Sequence, residues 1–117
     1  MSFLLSTMAL CVAFSPVSVQ NVCMDFEKVD SAQAILIDNE WYVALITEPI
    51  YTISERANLC QKISDKIYQK TNTKTNVIID SGLYYDIILA KSSQSKELQN
   101  NIKRYFLRRI YEYHRIN

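Results

Sequence analysis

The segment from residue 41 to residue 46 constrains the fold more than any other part of this 117-residue chain. It reads Trp-Tyr-Val-Ala-Leu-Ile, so apolar side chains occupy both alternating sets of positions. Because successive side chains of a strand point to opposite faces of a sheet, such a strand is suited to burial on both faces. We expect either a sheet with both faces covered, or one covered face and a second face that meets a partner.

A hairpin signal surrounds this segment. A second run of largely apolar residues, 32–37, precedes it, and Asp38-Asn39-Glu40 separates the two runs. Asp and Asn tolerate the left-handed backbone conformation that tight hairpin turns require. The sequence therefore predicts two antiparallel strands.

A helix and a third strand are predicted next. Pro49 ends the second strand because proline has no N–H for a ladder, and Thr52 and Glu55 have the spacing of a capping box. A helix over about 54–70 follows, with apolar residues three and four positions apart: Ile53, Ala57, Leu59, Cys60, Ile63 and Ile67. The branched run 77–79 predicts a buried strand, either parallel or antiparallel to the hairpin.

The chain allows two continuations after Asp80-Ser81-Gly82. These residues either form a hairpin turn before a strand over 83–89, or cap a helix that begins near Leu83. The helix is favoured by the spacing of Tyr84, Ile87, Ile88 and Lys91. A last helix is predicted over 96–115, which no proline or glycine interrupts. The predicted fold class is α+β: a small ββαβα domain, a three-stranded sheet packed by helices, with a C-terminal basic amphipathic helix.

The first 24 residues carry no charged side chain, and 3–14 is an apolar run broken by only two hydroxyl residues. The run is shorter than the about 20 residues of a spanning helix, and close to the roughly 7–15 residues of a signal-peptide core. We predict a signal-like or anchoring segment over 1–24 and a single α+β domain over 25–117. The alternative for the first segment is a buried strand or helix of the domain. The expected location is membrane-associated or exported, in the cell envelope, with the cytoplasm as the alternative.

The composition excludes several kinds of active site. Gly82 is the single glycine, whereas phosphate loops, dinucleotide fingerprints and nucleophile elbows need several. Cys11, Cys23 and Cys60 are spaced too widely for a redox pair or a zinc cluster, and His114 is the single histidine. We therefore predict no catalytic residue, no metal and no cofactor. Cys60 is expected to be a small core residue, and a Cys23–Cys60 disulfide stays an open alternative.

Basic charge is concentrated near the C-terminus. Residues 91–117 hold seven Lys/Arg and two Asp/Glu, whereas 1–90 hold six and ten. On the last helix, basic residues alternate with aromatic ones, a pattern typical of contact with an anionic membrane or with nucleic-acid phosphates. The same pattern arises when the apolar stripe packs on the domain and the arginines are solvated. The candidate binding residues for an anionic surface or partner are Lys103, Arg104, Arg108, Arg109 and Arg115.

Tyrosine is enriched, with eight residues in the chain. Its large apolar area and polar tip suit both the rim of a core and an interface. Five tyrosines are candidates for a contact surface or for such packing: Tyr84, Tyr85, Tyr105, Tyr111 and Tyr113.

The order of elements over 29–94 carries a family resemblance. Its pieces are 29–37, 41–45, the amphipathic helix through Ile63 and Ile67, and 76–84. In this order they resemble the YhcN/YlaJ family of sporulation lipoproteins, envelope proteins of spore-forming bacteria. A lipoprotein needs a small residue directly before its modified cysteine, which neither Cys11 nor Cys23 has.

The resemblance implies a function without catalysis. It implies a non-enzymatic envelope or spore-associated module. Together with the missing catalytic constellation and the uncharged opening, it leads us to expect a structural or interaction module that binds a protein partner or itself, and the basic last helix adds an anionic membrane surface as a further possible partner. The alternative is a soluble binding protein whose basic C-terminal helix contacts anionic lipid or, less favoured, nucleic acid.

Overall fold

A computed structural model of the protein describes residues 14–116, and the side chains of residues 14–109. Its elements are α1 (Pro16–Met24), β1 (Val29–Ile37), β2 (Glu40–Thr47), α2 (Ile53–Thr71), β3 (Thr75–Ile79), α3 (Ser81–Ser93) and α4 (Lys96–Ile116). These elements form a small α+β domain, which confirms the predicted fold class.

The three strands form one mixed sheet in the order β1-β2-β3, so that β2 is central. β1 and β2 pair antiparallel through a two-residue turn, in which Asp38 and Asn39 have φ values of 48° and 64°. Two positive φ values define a type I′ turn, whose twist matches that of a hairpin. The hairpin prediction is therefore confirmed. β3 runs parallel to β2, because α2 carries the chain back across the sheet between them.

Helices cover both faces of the sheet. α1 and α2 pack on one face, around a core that includes Val19, Cys23, Trp41, Val43, Leu45, Ile63 and Ile67. α3 and α4 pack on the other face, around a core that includes Tyr42, Ala44, Ile78, Leu83, Ile87, Ile102 and Phe106. Successive residues of β2 alternate between these two cores. This alternation explains why the strand is apolar throughout residues 41–45, and both faces of this part are covered within one chain.

Side-chain caps start α2 and α3 where the sequence predicts. The Oγ1 of Thr52 accepts a hydrogen bond from the N–H of Glu55 at 3.1 Å, and the Oδ1 of Asp80 accepts one from the N–H of Leu83 at 2.9 Å. Of the two continuations after Asp80, the helix is therefore the correct one. Gly82 lies in its first turn without a positive φ.

α1 was not predicted as a separate element of the fold. The Oγ of Ser15 accepts a hydrogen bond from the N–H of Ser18 at 3.2 Å. Pro16 occupies the first helical position, where a backbone N–H would have no partner within the helix, so proline is tolerated there. Val19 and Cys23 are buried against β1. Packing therefore extends N-terminal of residue 25, where the domain was predicted to begin.

The role of the uncharged opening as a signal-like or anchoring segment stays a prediction, and residues 1–13 lie outside the described residues. Within residues 14–116, none of the helices combines the length and the apolar content that crossing a bilayer requires.

Candidate docking surface

Two of the five predicted basic residues contact acidic residues of the domain. The Nζ of Lys103 lies 2.6 Å from the Oδ2 of Asp38, which ties α4 to the hairpin turn. This hydrogen-bonded ion pair lowers the pKa of Asp38 and raises the pKa of Lys103. The Nη2 of Arg109 lies 3.8 Å from the Oδ2 of Asp80, whose side chain is largely buried. Neither cation is therefore fully available to an external anion.

Arg104 and Arg108 have different surroundings. Both are exposed, and Arg104 donates a hydrogen bond to the Oδ1 of Asn101 at 3.2 Å. Neither arginine forms an ion pair with a carboxylate in the part of the chain whose side chains are described. The side chain of Arg115 lies outside that part. Among the four predicted residues whose side chains are described, the two without an acidic partner are Arg104 and Arg108, one helical turn apart.

The apolar stripe of α4 packs on the domain. Ile102 and Phe106 are buried, and Leu98 packs beside them. The rings of Phe106 and Tyr42 meet edge to face, with centroids 5.1 Å apart. This stripe is therefore not available for insertion into a membrane.

α3 is apolar on two opposite sides. Its inner side buries Leu83, Ile87 and Ala90. Its outer side carries Tyr85, Ile88 and Leu89, which are 62%, 39% and 53% exposed. We call these three residues the outer stripe. Their spacing of three and four residues places them on neighbouring positions of the helix surface.

The two exposed arginines lie on α4, the helix that packs beside α3. α3 and α4 are joined at residues 94–95, and the hydroxyl of Tyr105 on α4 donates to the Oδ2 of Asp80 at the start of α3, at 2.8 Å. The two helices therefore run antiparallel on one face of the sheet. Arg104 directly precedes Tyr105, Arg108 follows it three residues later, and Leu107 is 68% exposed. We call the outer stripe, Leu107, Arg104 and Arg108 together the docking surface.

The candidate tyrosines have different roles. The hydroxyl groups of Tyr84 and Ser31 are hydrogen-bonded at 2.5 Å, and this contact lowers the pKa of Tyr84. Tyr85 is exposed, with its ring edge to face against that of Tyr84. Tyr105 contacts Asp80 as described above, and the side chains of the two remaining candidates, at 111 and 113, lie outside the described residues. Only Tyr85 among the described candidates belongs to the docking surface.

Three hydrogen-bonded side chains, which we call the polar link, lie at the outer edge of β1. The Nζ of Lys91 on α3 donates to the side-chain oxygens of Gln33 on β1 and Gln20 on α1, at 2.9 and 3.0 Å. The same oxygen of Gln20 accepts the backbone N–H of Ala34, at 3.1 Å. Partial burial lowers the pKa of Lys91. All three side chains have partners within the domain, so the link is a structural feature.

The two cysteines within the described residues are free thiols. Burial raises the pKa of Cys23 and of Cys60 to about 12. Both are therefore protonated at neutral pH, and a protonated thiol is a poor nucleophile and a poor metal ligand. In residues 14–116, no group of three or more His, Cys, Asp or Glu side chains is placed to hold a metal ion.

Two shallow cavities lie on the other parts of the described structure. One, of about 280 Å³, lies at the hairpin end of the sheet between Leu36, Trp41 and Thr73. The other, of about 330 Å³, lies between Phe26, Ile50 and Leu59. The linings of both are mainly apolar, and neither lies beside the docking surface.

Comparisons of the chain with protein-family models, with curated proteins and with solved structures found no match. The function is therefore inferred from the surface described above.

Proposed function

We propose that the protein is a non-enzymatic structural or interaction module of the cell envelope, which docks through the outer stripe of α3. The observation that carries this proposal is that α3 is apolar on both its inner and its outer side. A helix on the surface of a soluble domain normally has one apolar side and one polar side. A helix that is apolar on opposite sides is suited to a position between two packed layers, and the described residues supply one of them.

The size of the outer stripe supports the same function. If a side chain of this kind exposes about 200 Å² when free, Tyr85, Ile88 and Leu89 together expose on the order of 300 Å². Contiguous apolar patches of this size are near the largest that monomers carry, and they often mark contact sites. Single exposed apolar residues elsewhere, such as Tyr51, need no such explanation.

The non-enzymatic part of the proposal is supported by what the reactive groups do. Asp80 caps α3, and Asp38 forms the hairpin turn and pairs with Lys103. Of the thiols within the described residues, Cys23 is buried and Cys60 is half-buried, and both are protonated at neutral pH. Each of these groups has a structural role. The envelope or spore location is supported by the family resemblance of residues 29–94.

Cysteine labelling in native cells tests whether the outer stripe is covered. We would place Leu89→Cys in a chain that also carries Cys11→Ser and Cys60→Ser, and measure its rate of reaction with a maleimide in permeabilised native cells and in the purified protein. We expect labelling at least about tenfold slower in cells, because a partner shields the side chain.

The matched control is Tyr51→Cys in the same background, since Tyr51 is 89% exposed and lies before α2, away from the outer stripe. It should react at the same rate in cells and in the purified protein. Equal rates for Leu89→Cys in the two preparations would overturn the proposed function.

A further inference from the structure

The spacing and the charge of the outer side of α3 narrow the choice of partner. We propose that the outer stripe binds the outer stripe of a second copy of this chain, with the two α3 helices antiparallel about a two-fold axis. This inference rests on the proposed function and names the partner of the same surface.

The spacing of residues on α3 makes its outer side complementary to itself. Ser92 is exposed and lies seven residues after Tyr85, so the two share one side of the helix, with Ile88 and Leu89 between them. We place the two-fold axis of an antiparallel helix pair between Ile88 and Leu89. Each of these residues then meets its own counterpart, and each Tyr85 lies opposite Ser92 of the second copy. A large side chain thus faces a small one at both ends of the contact.

The charge around the outer stripe favours an uncharged partner surface. Within residues 81–97, the exposed charged residues are one cation and two anions: Lys96, Asp86 and Glu97. The remaining cation, Lys91, is held within the domain by the polar link. Such a surface attracts neither a strongly acidic nor a strongly basic partner. It also does not repel its own copy, since the net charge of the whole chain is only +1.

The acidic residue nearest to the outer stripe does not oppose this arrangement. Asp86 lies at the flank of the stripe. In the antiparallel pair, the two Asp86 positions are offset along the helix axis by about five residues, or roughly 7.5 Å. The exposed arginines Arg104 and Arg108 belong to α4, and the hydrogen bonds and ion pairs of the described residues do not link them to the outer stripe.

The size of the outer stripe is suited to a modest protein interface. A standard interface buries about 800 Å² on each partner, of which about 450 Å² is apolar. The outer stripe supplies on the order of 300 Å² of this apolar area. The exposed serines at both ends of α3 provide a polar rim: Ser81, Ser92 and Ser93. A two-fold dimer uses the same patch on both copies, so this single patch is sufficient.

Sedimentation equilibrium of the full chain, kept reduced, tests this inference. We expect a monomer–dimer equilibrium with a dissociation constant in the micromolar range, because the interface is at the small end for proteins. Tyr85→Ser with Leu89→Ser should raise the dissociation constant at least about tenfold, since the symmetry repeats each substitution. The matched control is Tyr51→Ser with Tyr68→Ser, both at exposed positions elsewhere, which should leave it unchanged.

An exchange of the large and the small residue tests the two-fold axis itself. Ser92→Tyr alone would place a tyrosine opposite Tyr85 of the second copy, and should weaken the dimer at least about tenfold. Tyr85→Ser with Ser92→Tyr restores a large residue opposite a small one, and should return the dissociation constant to within about threefold of the wild type. A general attraction between apolar surfaces would instead be strengthened by Ser92→Tyr alone.

The charges of α4 provide a second control. Arg104→Gln with Arg108→Gln should leave the dissociation constant unchanged, and added salt should change it little, because the contact is apolar. Loss of self-association in this variant would show that the interface is elsewhere.

Four outcomes would overturn the second copy as the partner. They are a chain that stays monomeric, association that the stripe pair leaves unchanged, an exchange variant no better than Ser92→Tyr alone, and stripe-dependent binding of a monomeric chain to vesicles that contain phosphatidylglycerol.

Labelling of Leu89→Cys separates these failures from a failure of the proposed function. In the purified protein, labelling should slow as the concentration rises, because the second copy shields the side chain. The comparison with permeabilised cells therefore uses dilute, monomeric protein. If Leu89→Cys is shielded in cells while the purified chain stays monomeric, the proposed function stands and the partner is another molecule. If Leu89→Cys is not shielded in cells, the proposed function itself is wrong, whatever the purified chain does.

Discussion

α2 and α3 cover opposite faces of the same sheet, and their inner sides are alike while their outer sides differ. Each is capped at its start and buries branched apolar residues against the strands. The exposed positions of α2 are mostly polar or charged and include Glu55, Lys62, Asp65, Lys66 and Lys70, and its exposed large apolar residues are Ile53 and Tyr68. The outer side of α3 carries Tyr85, Ile88 and Leu89. Folding needs only the inner sides, so the outer side of each helix is free to match its surroundings: water for α2 and, we propose, a partner for α3.

The largest expected effect tests whether the two inner sides are equivalent. Ile63 on α2 and Ile87 on α3 are fully buried, each in its own core. We expect Ile63→Ala and Ile87→Ala each to lower the free energy of unfolding by about 2–5 kcal/mol, because each leaves a cavity. Urea unfolding measures both.

The control is Gln69→Ala at an exposed position of α2, which should change the free energy of unfolding by less than about 0.5 kcal/mol. A cost below about 1 kcal/mol for Ile87→Ala alone would break the comparison, because α3 would then not be an integral part of the core.

A smaller effect is expected for the two helix caps, whose removal should lower the free energy of unfolding by different amounts. Thr52→Ala removes the cap of α2 and should cost about 1 kcal/mol. Asp80→Ala should cost about 2 kcal/mol, because Asp80 caps α3, accepts the hydroxyl of Tyr105 and lies 3.8 Å from Arg109. Thermal or urea unfolding measures the difference. Tyr105→Phe isolates the second hydrogen bond, and an unchanged free energy of unfolding in this variant would show that the bond contributes nothing.

The smallest effect concerns the tie between α4 and the hairpin turn, and it depends on pH. Lys103 lowers the pKa of Asp38 in the folded protein below its ordinary value of 3.8. The ion pair therefore adds stability above that value, and this stability is lost as the pH falls through the folded pKa. Asp38→Asn removes the charge and keeps a residue that tolerates the left-handed turn.

We expect Asp38→Asn to be less stable than the wild type at neutral pH, with a difference that disappears at a pH well below 3.8. Urea unfolding at a series of pH values measures this difference. Because both side chains are exposed to solvent, the difference is small. A difference that stays constant as the carboxyl titrates would show that the ion pair is not its source.

Local signals were sufficient to predict the hairpin, α2, β3 and α4. The turn residues Asp38 and Asn39 and the cap Thr52 act through their own neighbours, so their effect can be deduced from sequence. The outer stripe could not be deduced in this way. Helical spacing shows that two residues share a side, but when a helix is apolar on both sides it does not show which side meets the sheet. For this reason the spacing of Tyr84, Ile87 and Ile88 predicts the helix but not which of these residues is exposed.

α1 and the contacts of the basic residues also could not be deduced from local sequence signals. Ser15 followed by Pro16 is a helix-start signal, and it was interpreted as the end of an apolar run because the uncharged segment before it dominated the pattern. The contacts of Lys103 with Asp38 and of Arg109 with Asp80 join residues far apart in the chain. The sequence identified these cations as candidates, but which of them have partners depends on how the elements pack.

The polar link at the edge of β1 has a consequence for the order of events during synthesis. Gln20 leaves the ribosome before β1 and β2, whereas Lys91, which holds its side chain against the edge, follows only after β3 and most of α3. Until then the open edge of the hairpin is a template for pairing with a strand of another nascent copy. The late helix thus completes the cover of a strand edge that is made early in synthesis.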